Sequence, residues 1–174
     1  MVAAIGQVRR DVLDGGLIAG LIGYGTVVLV TAGLNVIAGR SPFHTAALFG
    51  SALFYGLTDP AALVVTPGPI LAYNAAHLVT FLGLGLGASW LVTLGERHPA
   101  VIYLAVFLLM VVAFHLFVAL GMFALPLLGA TAFWHVGAGS VAAAGLMGWY
   151  LWRGHPLLQR RMREISLGDA PEEP

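Results

Sequence analysis

The chain has no cysteine and no lysine, and charged residues make up only 9% of its 174 positions. The missing thiols exclude disulfides, cysteine nucleophiles, iron–sulfur clusters, c-type haem attachment and cysteine zinc sites. The scarcity of charge excludes an ordinary soluble domain, which carries about 25% charged residues. A net charge of zero removes the basic face that nucleic-acid binding needs. All eight cations are arginine, a compositional habit of GC-rich bacterial genomes. There is no G-x-S-x-G, Walker loop, H-E-x-x-H or dinucleotide fingerprint, so the chain reads more as a subunit than as an enzyme by itself. No H-x-x-x-H or E-x-x-H pair supports a di-iron carboxylate centre.

What remains is 59% hydrophobic, with a mean hydropathy of +0.91. Such a chain requires lipid as its solvent. Four stretches reach the roughly 20 apolar residues that cross a bilayer: about Leu13–Ala38, Pro69–Leu94, Ala100–Leu125 and Leu127–Trp152. The first is longer than the roughly 7–15-residue core of a signal peptide, so it reads as a retained span. Each stretch ends at a credible stop: Gly39-Arg40-Ser41-Pro42, Gly95-Glu96-Arg97-His98-Pro99, Pro126, and Arg153-Gly154-His155-Pro156. The expected fold is an all-α bundle of four transmembrane helices forming one domain over residues 1–163. An acidic, disordered cytoplasmic tail follows over 164–174.

The loop between the first two spans predicts a helix of its own over about 42–57, with Ser41 as N-cap and Pro42 at its first position. Its length suits an interfacial or re-entrant helix, and the rival reading makes it a fifth span. Pro60, Pro67 and Pro69 bar a continuous helix into the next span, and Asp59 before Pro60 reads as turn chemistry. Asp11 and Asp14 suit the positive end of the first helix dipole.

Orientation follows from the arginines. Arg9, Arg10, Arg97, Arg153, Arg160, Arg161 and Arg163 share one side of a four-span chain, and only Arg40 lies opposite. The positive-inside rule then puts both termini in the cytoplasm of a bacterium, with the spans in its inner membrane. Trp90, Trp149, Tyr150 and Trp152 form an aromatic belt at the cytoplasmic ends. Gly16, Gly20 and Gly23, then Gly83 and Gly87, then Gly139, Ala142, Ala143 and Gly145 make small-residue helix faces. Such faces serve packing within the bundle, self-association, or contact with other membrane subunits.

The polar groups inside the spans gather in one layer. His77, His115 and His135 lie on three different spans, each roughly 12–15 Å below the outer surface at 1.5 Å per residue. Tyr73, Asn74, Thr31 and Asn35 lie near them, and His44 and Tyr55 in the loop are placed to cover them. Neutral imidazoles on neighbouring helices can ligate Cu, Zn or Fe. Two of them at one depth can hold haem b, with the Gly83 and Gly87 face leaving room for the macrocycle. A proton, quinone or solute site is a third use. Ordinary interhelical hydrogen bonding is a fourth, and a non-catalytic accessory role in a larger membrane complex needs no ligand at all. His98 and His155, each before a proline, read as structural.

Four segments carry a resemblance: Ala38-Gly39-Arg40-Ser41-Pro42, His77-Leu78-Val79-Thr80-Phe81, Glu96-Arg97-His98-Pro99, and Tyr150-Leu151-Trp152-Arg153-Gly154-His155-Pro156. In these the chain resembles a group of small bacterial membrane proteins with four helices. The resemblance covers most of the chain. It implies the four-span topology and a bacterial origin, and it brings no activity.

Overall fold

A computed structural model describes residues 2–97, 111 and 133–164, and these are helical or loop with no strand among them. Helix α1 runs Val2–Ile37, α2 His44–Phe54 and α3 Pro67–Arg97. Helix α4 covers residues 133–154, and α5 runs Pro156–Glu164. Within α1 and α3, Val12–Ile37 and Pro67–Glu96 are long and apolar enough to cross a membrane. Apart from residue 111, the predicted third span, with His115, lies outside the described residues, as does His98. So does the start of the fourth span, and so do residues 165–174. The rest of the fourth is α4, less apolar because it carries His135 and several glycines.

Helices α1 and α3 cross with their backbones in contact. A Cβ on Gly16 would sit 2.7 Å from Leu86 Cα, and one on Gly20 2.6 Å from the Phe81 carbonyl oxygen. A Cβ on Gly85 would strike the Gly16 carbonyl and lie 2.5 Å from Gly20 N. Only glycine fits these positions, and the small-residue stripe of α1 is used for packing within the fold. On α3 the expected residues were different: Gly83 and Gly87 have no described atom within 4 Å, and Gly85 between them makes the crossing. Ser89, one turn further along, is fully buried, and its hydroxyl has no hydrogen-bond partner.

Helix α4 packs on this pair. Ala143, Met147 and Leu151 join Ala19, Val27 and Phe81 in the core. A Cβ on Gly139 would meet Thr31 Cγ2 at an ordinary 3.6 Å, and one on Gly23 would collide with Met147 Sδ. The helices share a common pair of ends. At one, Asp14 of α1, Glu96 of α3 and Arg153 of α4 line one pocket. At the other, Thr31 of α1, Asn74 of α3 and Val136 of α4 line a second. Thus α1 runs one way, and α3 and α4 run back.

Local chemistry sets the boundaries. Helix α1 stops where expected: Gly39 takes a φ of +70°, while Arg40 N donates to Asn35 O (2.8 Å) and Gly39 N to Val36 O (3.0 Å). This is the paired closure that a left-handed residue allows. Asp59 Oδ1 accepts from Ala61 N at 2.9 Å, the turn role foreseen for it. Three expectations are corrected. The N-cap of α2 is Phe43, without a side-chain bond; Ser41 instead closes a preceding turn, its carbonyl accepting from His44 N at 2.9 Å. Helix α1 begins at Val2, so Asp11 and Asp14 sit turns away from the dipole end and gain little from it. Pro156 does more than stop α4: it stands at the first position of α5, where a missing N–H costs nothing.

The crossing predicts opposite outcomes for neighbouring glycines. Gly20→Ala and Gly85→Ala must force the helices apart, costing about 1–3 kcal/mol or more. Gly83→Ala meets no atom of the described residues and gains up to about 1 kcal/mol of helix propensity. Thermal unfolding of the detergent-solubilised variants checks this; equal midpoints for Gly85→Ala and Gly83→Ala would contradict the packing.

Candidate functional site

At the end of the fold where α2 sits, residues from four helices enclose a cavity of about 90 Å³. Its wall includes Thr31 of α1, Thr45 of α2, Tyr73, Asn74 and His77 of α3, and Ser140 of α4. His77 is held by an aromatic stack. Its ring lies 5.0 Å from Tyr73 at 21° and meets Phe81 edge-on at 4.9 Å, with Tyr24 at 6.3 Å. Tyr73 in turn stacks on Phe49 of α2 at 5.5 Å and 12°. These contacts fix the imidazole plane, yet its Nε2 is buried with no hydrogen-bond partner among the described residues. An unpaired buried polar atom costs about 1–3 kcal/mol, so its retention points to a partner that the described side chains do not supply.

Neighbouring polar groups are already committed. The Tyr24 hydroxyl donates to Asn74 Oδ1 at 3.1 Å, and Asn74 Nδ2 donates to the Ile70 carbonyl at 2.8 Å. Thr31 returns its hydroxyl to the Val27 carbonyl at 2.7 Å, and Ser140 its own to Val136 at 2.9 Å. Their oxygens keep lone pairs free to accept. Asn35 is 3% exposed and forms a closed pair with Thr45: Nδ2 donates to Oγ1 at 2.9 Å, and Oγ1 donates back to Oδ1 at 3.2 Å. That pair ties α2 to α1.

The residues singled out from sequence divide into two groups. Tyr73, Asn74, Thr31 and His77 do converge on the cavity, and Asn35 braces its roof. His135, next to the cavity-lining Val136, is half-buried and is not part of the lining. His115 lies outside the described residues. Among the described residues no three His, Asp or Glu side chains gather as a ligand set. The loop helix does cover the site, through Phe43, Thr45, Ala46 and Phe49 rather than His44 and Tyr55. Tyr55 is exposed, its hydroxyl beside Gly68 at the start of α3. Tyr24, Thr45, Phe49 and Ser140 were missed. Tyr24, Thr31 and Asn35 do recur on one face of α1, seven and four residues apart, and that spacing was the available signal. His155 has the structural role expected of it: Nδ1–H donates to the Leu151 carbonyl at 2.8 Å.

His44 sits at the edge of α2, where burial, and then the positive charge of Arg40, hold its pKa below the ordinary 6.5. The folded state therefore prefers the neutral ring. This contribution is complete above pH 6.5 and is lost as the pH falls below it. Compared with family models, curated proteins and solved structures, the chain matches none.

Two results follow for the roof of the cavity. Amide exchange in α2, corrected for intrinsic chemistry, is to accelerate between pH 7.5 and 5.5, and His44→Gln is to flatten that dependence; an unchanged slope in the variant contradicts the assignment. Asn35→Ala, which strands Thr45, is to loosen α2 by about 1–3 kcal/mol in the same measurement.

Proposed function

We propose that the protein is a multi-pass protein of the bacterial inner membrane that binds one transition-metal ion, Cu, Zn or Fe, with His77 as the anchoring ligand. The observation that carries this reading is the buried Nε2 of His77, without a hydrogen-bond partner among the described residues, at the wall of a small, largely apolar cavity that also bears Thr31, Thr45, Tyr73, Asn74 and Ser140. Imidazole nitrogen is the commonest protein metal ligand, and the stacked Tyr73 and Phe81 rings preset its direction. His115, outside the described residues, is the candidate to complete the ligand set; His135, also considered from the sequence, does not line this cavity. A volume of about 90 Å³ suits a single ion with a water, and ligand pockets for larger molecules run to about 300–1,000 Å³. That favours an ion over haem b. The open space beside Gly83 and Gly87 is no part of this cavity.

Both termini are placed in the cytoplasm. The arginine distribution supports this. The resemblance to small four-helix bacterial membrane proteins agrees with the same topology. A second reading, a non-catalytic accessory subunit of a larger membrane complex, is favoured by Gly83 and Gly87, a small face of α3 that none of the described residues covers. It predicts co-purification with other membrane subunits, lost in Gly83→Leu.

Elemental analysis and Co²⁺ titration of the gently solubilised protein test the metal reading. The expected result is about one equivalent per chain, abolished in His77→Ala and kept in Tyr55→Phe. A folded wild type that takes up no metal, or a His77→Ala variant that binds as well, overturns it.

A further inference from the structure

At the other end of the fold, the ends of α1, α3 and α4 and the start of α5 surround an open pocket of about 760 Å³. Its charged lining is Asp14, Glu96 and Arg153, joined by Tyr150 and His155. Among the described residues the two carboxylates have no local task. Asp14 is too far along α1 to serve its dipole, and α3 ends just past Glu96. Arg153 lies over the Trp149 ring at 4.3 Å, and among the described residues neither carboxylate forms an ion pair. His155 donates from Nδ1 to the Leu151 carbonyl, which leaves Nε2 as an acceptor.

The position of the pocket is equally specific. Asp14 opens the apolar segment Val12–Ile37, and Glu96 closes Pro67–Glu96. The pocket thus lies at the level where an apolar helix surface meets charged chain. Leu157 lines it and is exposed, and Trp149 and Trp152 are exposed on the same end of α4, apolar surface against which an acyl chain can lie. Helix α5 begins there, with Leu158 buried and Arg160 exposed. A ligand for this place has a polar head carrying both signs of charge and an apolar body.

We propose that this pocket binds the headgroup of a phospholipid bearing a primary ammonium, phosphatidylethanolamine, from the cytoplasmic leaflet. Arg153 takes the phosphate, and Asp14 and Glu96 take the ammonium, whose three N–H donors also match His155 Nε2 and the Tyr150 hydroxyl. Among the described residues two carboxylates line the pocket against one guanidinium, an excess of negative charge that disfavours a purely anionic head such as phosphatidylglycerol. A choline head keeps its positive charge but has no N–H to donate, and its recognition calls for an aromatic cage instead of carboxylates.

This inference rests on the membrane reading above, and the test separates the two. Alkaline carbonate washing of membranes reports insertion; release of the chain would sink both. For retained protein, native mass spectrometry after exchange into equimolar phosphatidylethanolamine, phosphatidylcholine and phosphatidylglycerol reads the bound lipid. The expected result is a several-fold enrichment of phosphatidylethanolamine. Asp14→Asn with Glu96→Gln is to reduce it to the phosphatidylcholine level, and Arg153→Gln is to weaken retention of all three. Equal retention of the ethanolamine and choline lipids by the wild type, or a preference for phosphatidylglycerol, overturns the proposal without any variant.

Discussion

The approach of α1 to α3 through Gly16, Gly20 and Gly85 is the constraint on which the remaining structure depends. In lipid, apolar side chains gain nothing by leaving their surroundings, so helices associate through shape and close backbone contact. Three positions without a Cβ provide that contact. They fix which face of α3 meets α1, and so the direction in which Phe81, His77 and Tyr73 project. Met147 of α4 then fills the notch at Gly23, which sets the third helix against the first two.

The crossing sits toward the end bearing Asp14 and Glu96, and the opposite half of the same helices carries larger, polar residues. There Tyr24, Val27, Thr31 and Asn35 replace the glycines on α1. Here the helices meet through side chains, the Tyr24 hydroxyl donating to Asn74 Oδ1, and a small cavity lies beside His77. Helix α2 closes it, anchored by the Asn35–Thr45 pair and by Phe49 on Tyr73. Gly50 lets α2 lie directly on the Pro69 backbone. Tight packing at one end and a lidded polar cavity at the other are thus two consequences of where the glycines fall.

Much of this was legible from the chain. Hydropathy and prolines marked α1, α3 and the loop helix, and the stripe on α1 announced close packing. The register of its partner was not legible. Gly83, Gly85 and Gly87 offer α3 two different small faces, and only the presence of α1 decides between them. Helix rotation hid the same kind of fact at His135. Its depth could be counted from the span ends, but each residue turns the helix by about 100°. Val136 therefore lines the cavity and His135 does not. Pro156 misled for a different reason: a proline that ends one helix is equally suited to begin the next. The polar partner within α2 was lost as His135 was: one residue of helix rotation puts Thr45 rather than His44 at the site.

The central claim is that α1 and α3 span the membrane, with the α2 lid over His77 on the outer side and α5 on the inner. A chain without cysteine allows a direct test. Single cysteines at Ser41 and Gln159 would be challenged in intact cells with a membrane-impermeant maleimide. Labelling of Ser41→Cys before permeabilisation, and of Gln159→Cys only after it, is the predicted result. Equal labelling of the two positions in intact cells, or the reverse order, would contradict the account.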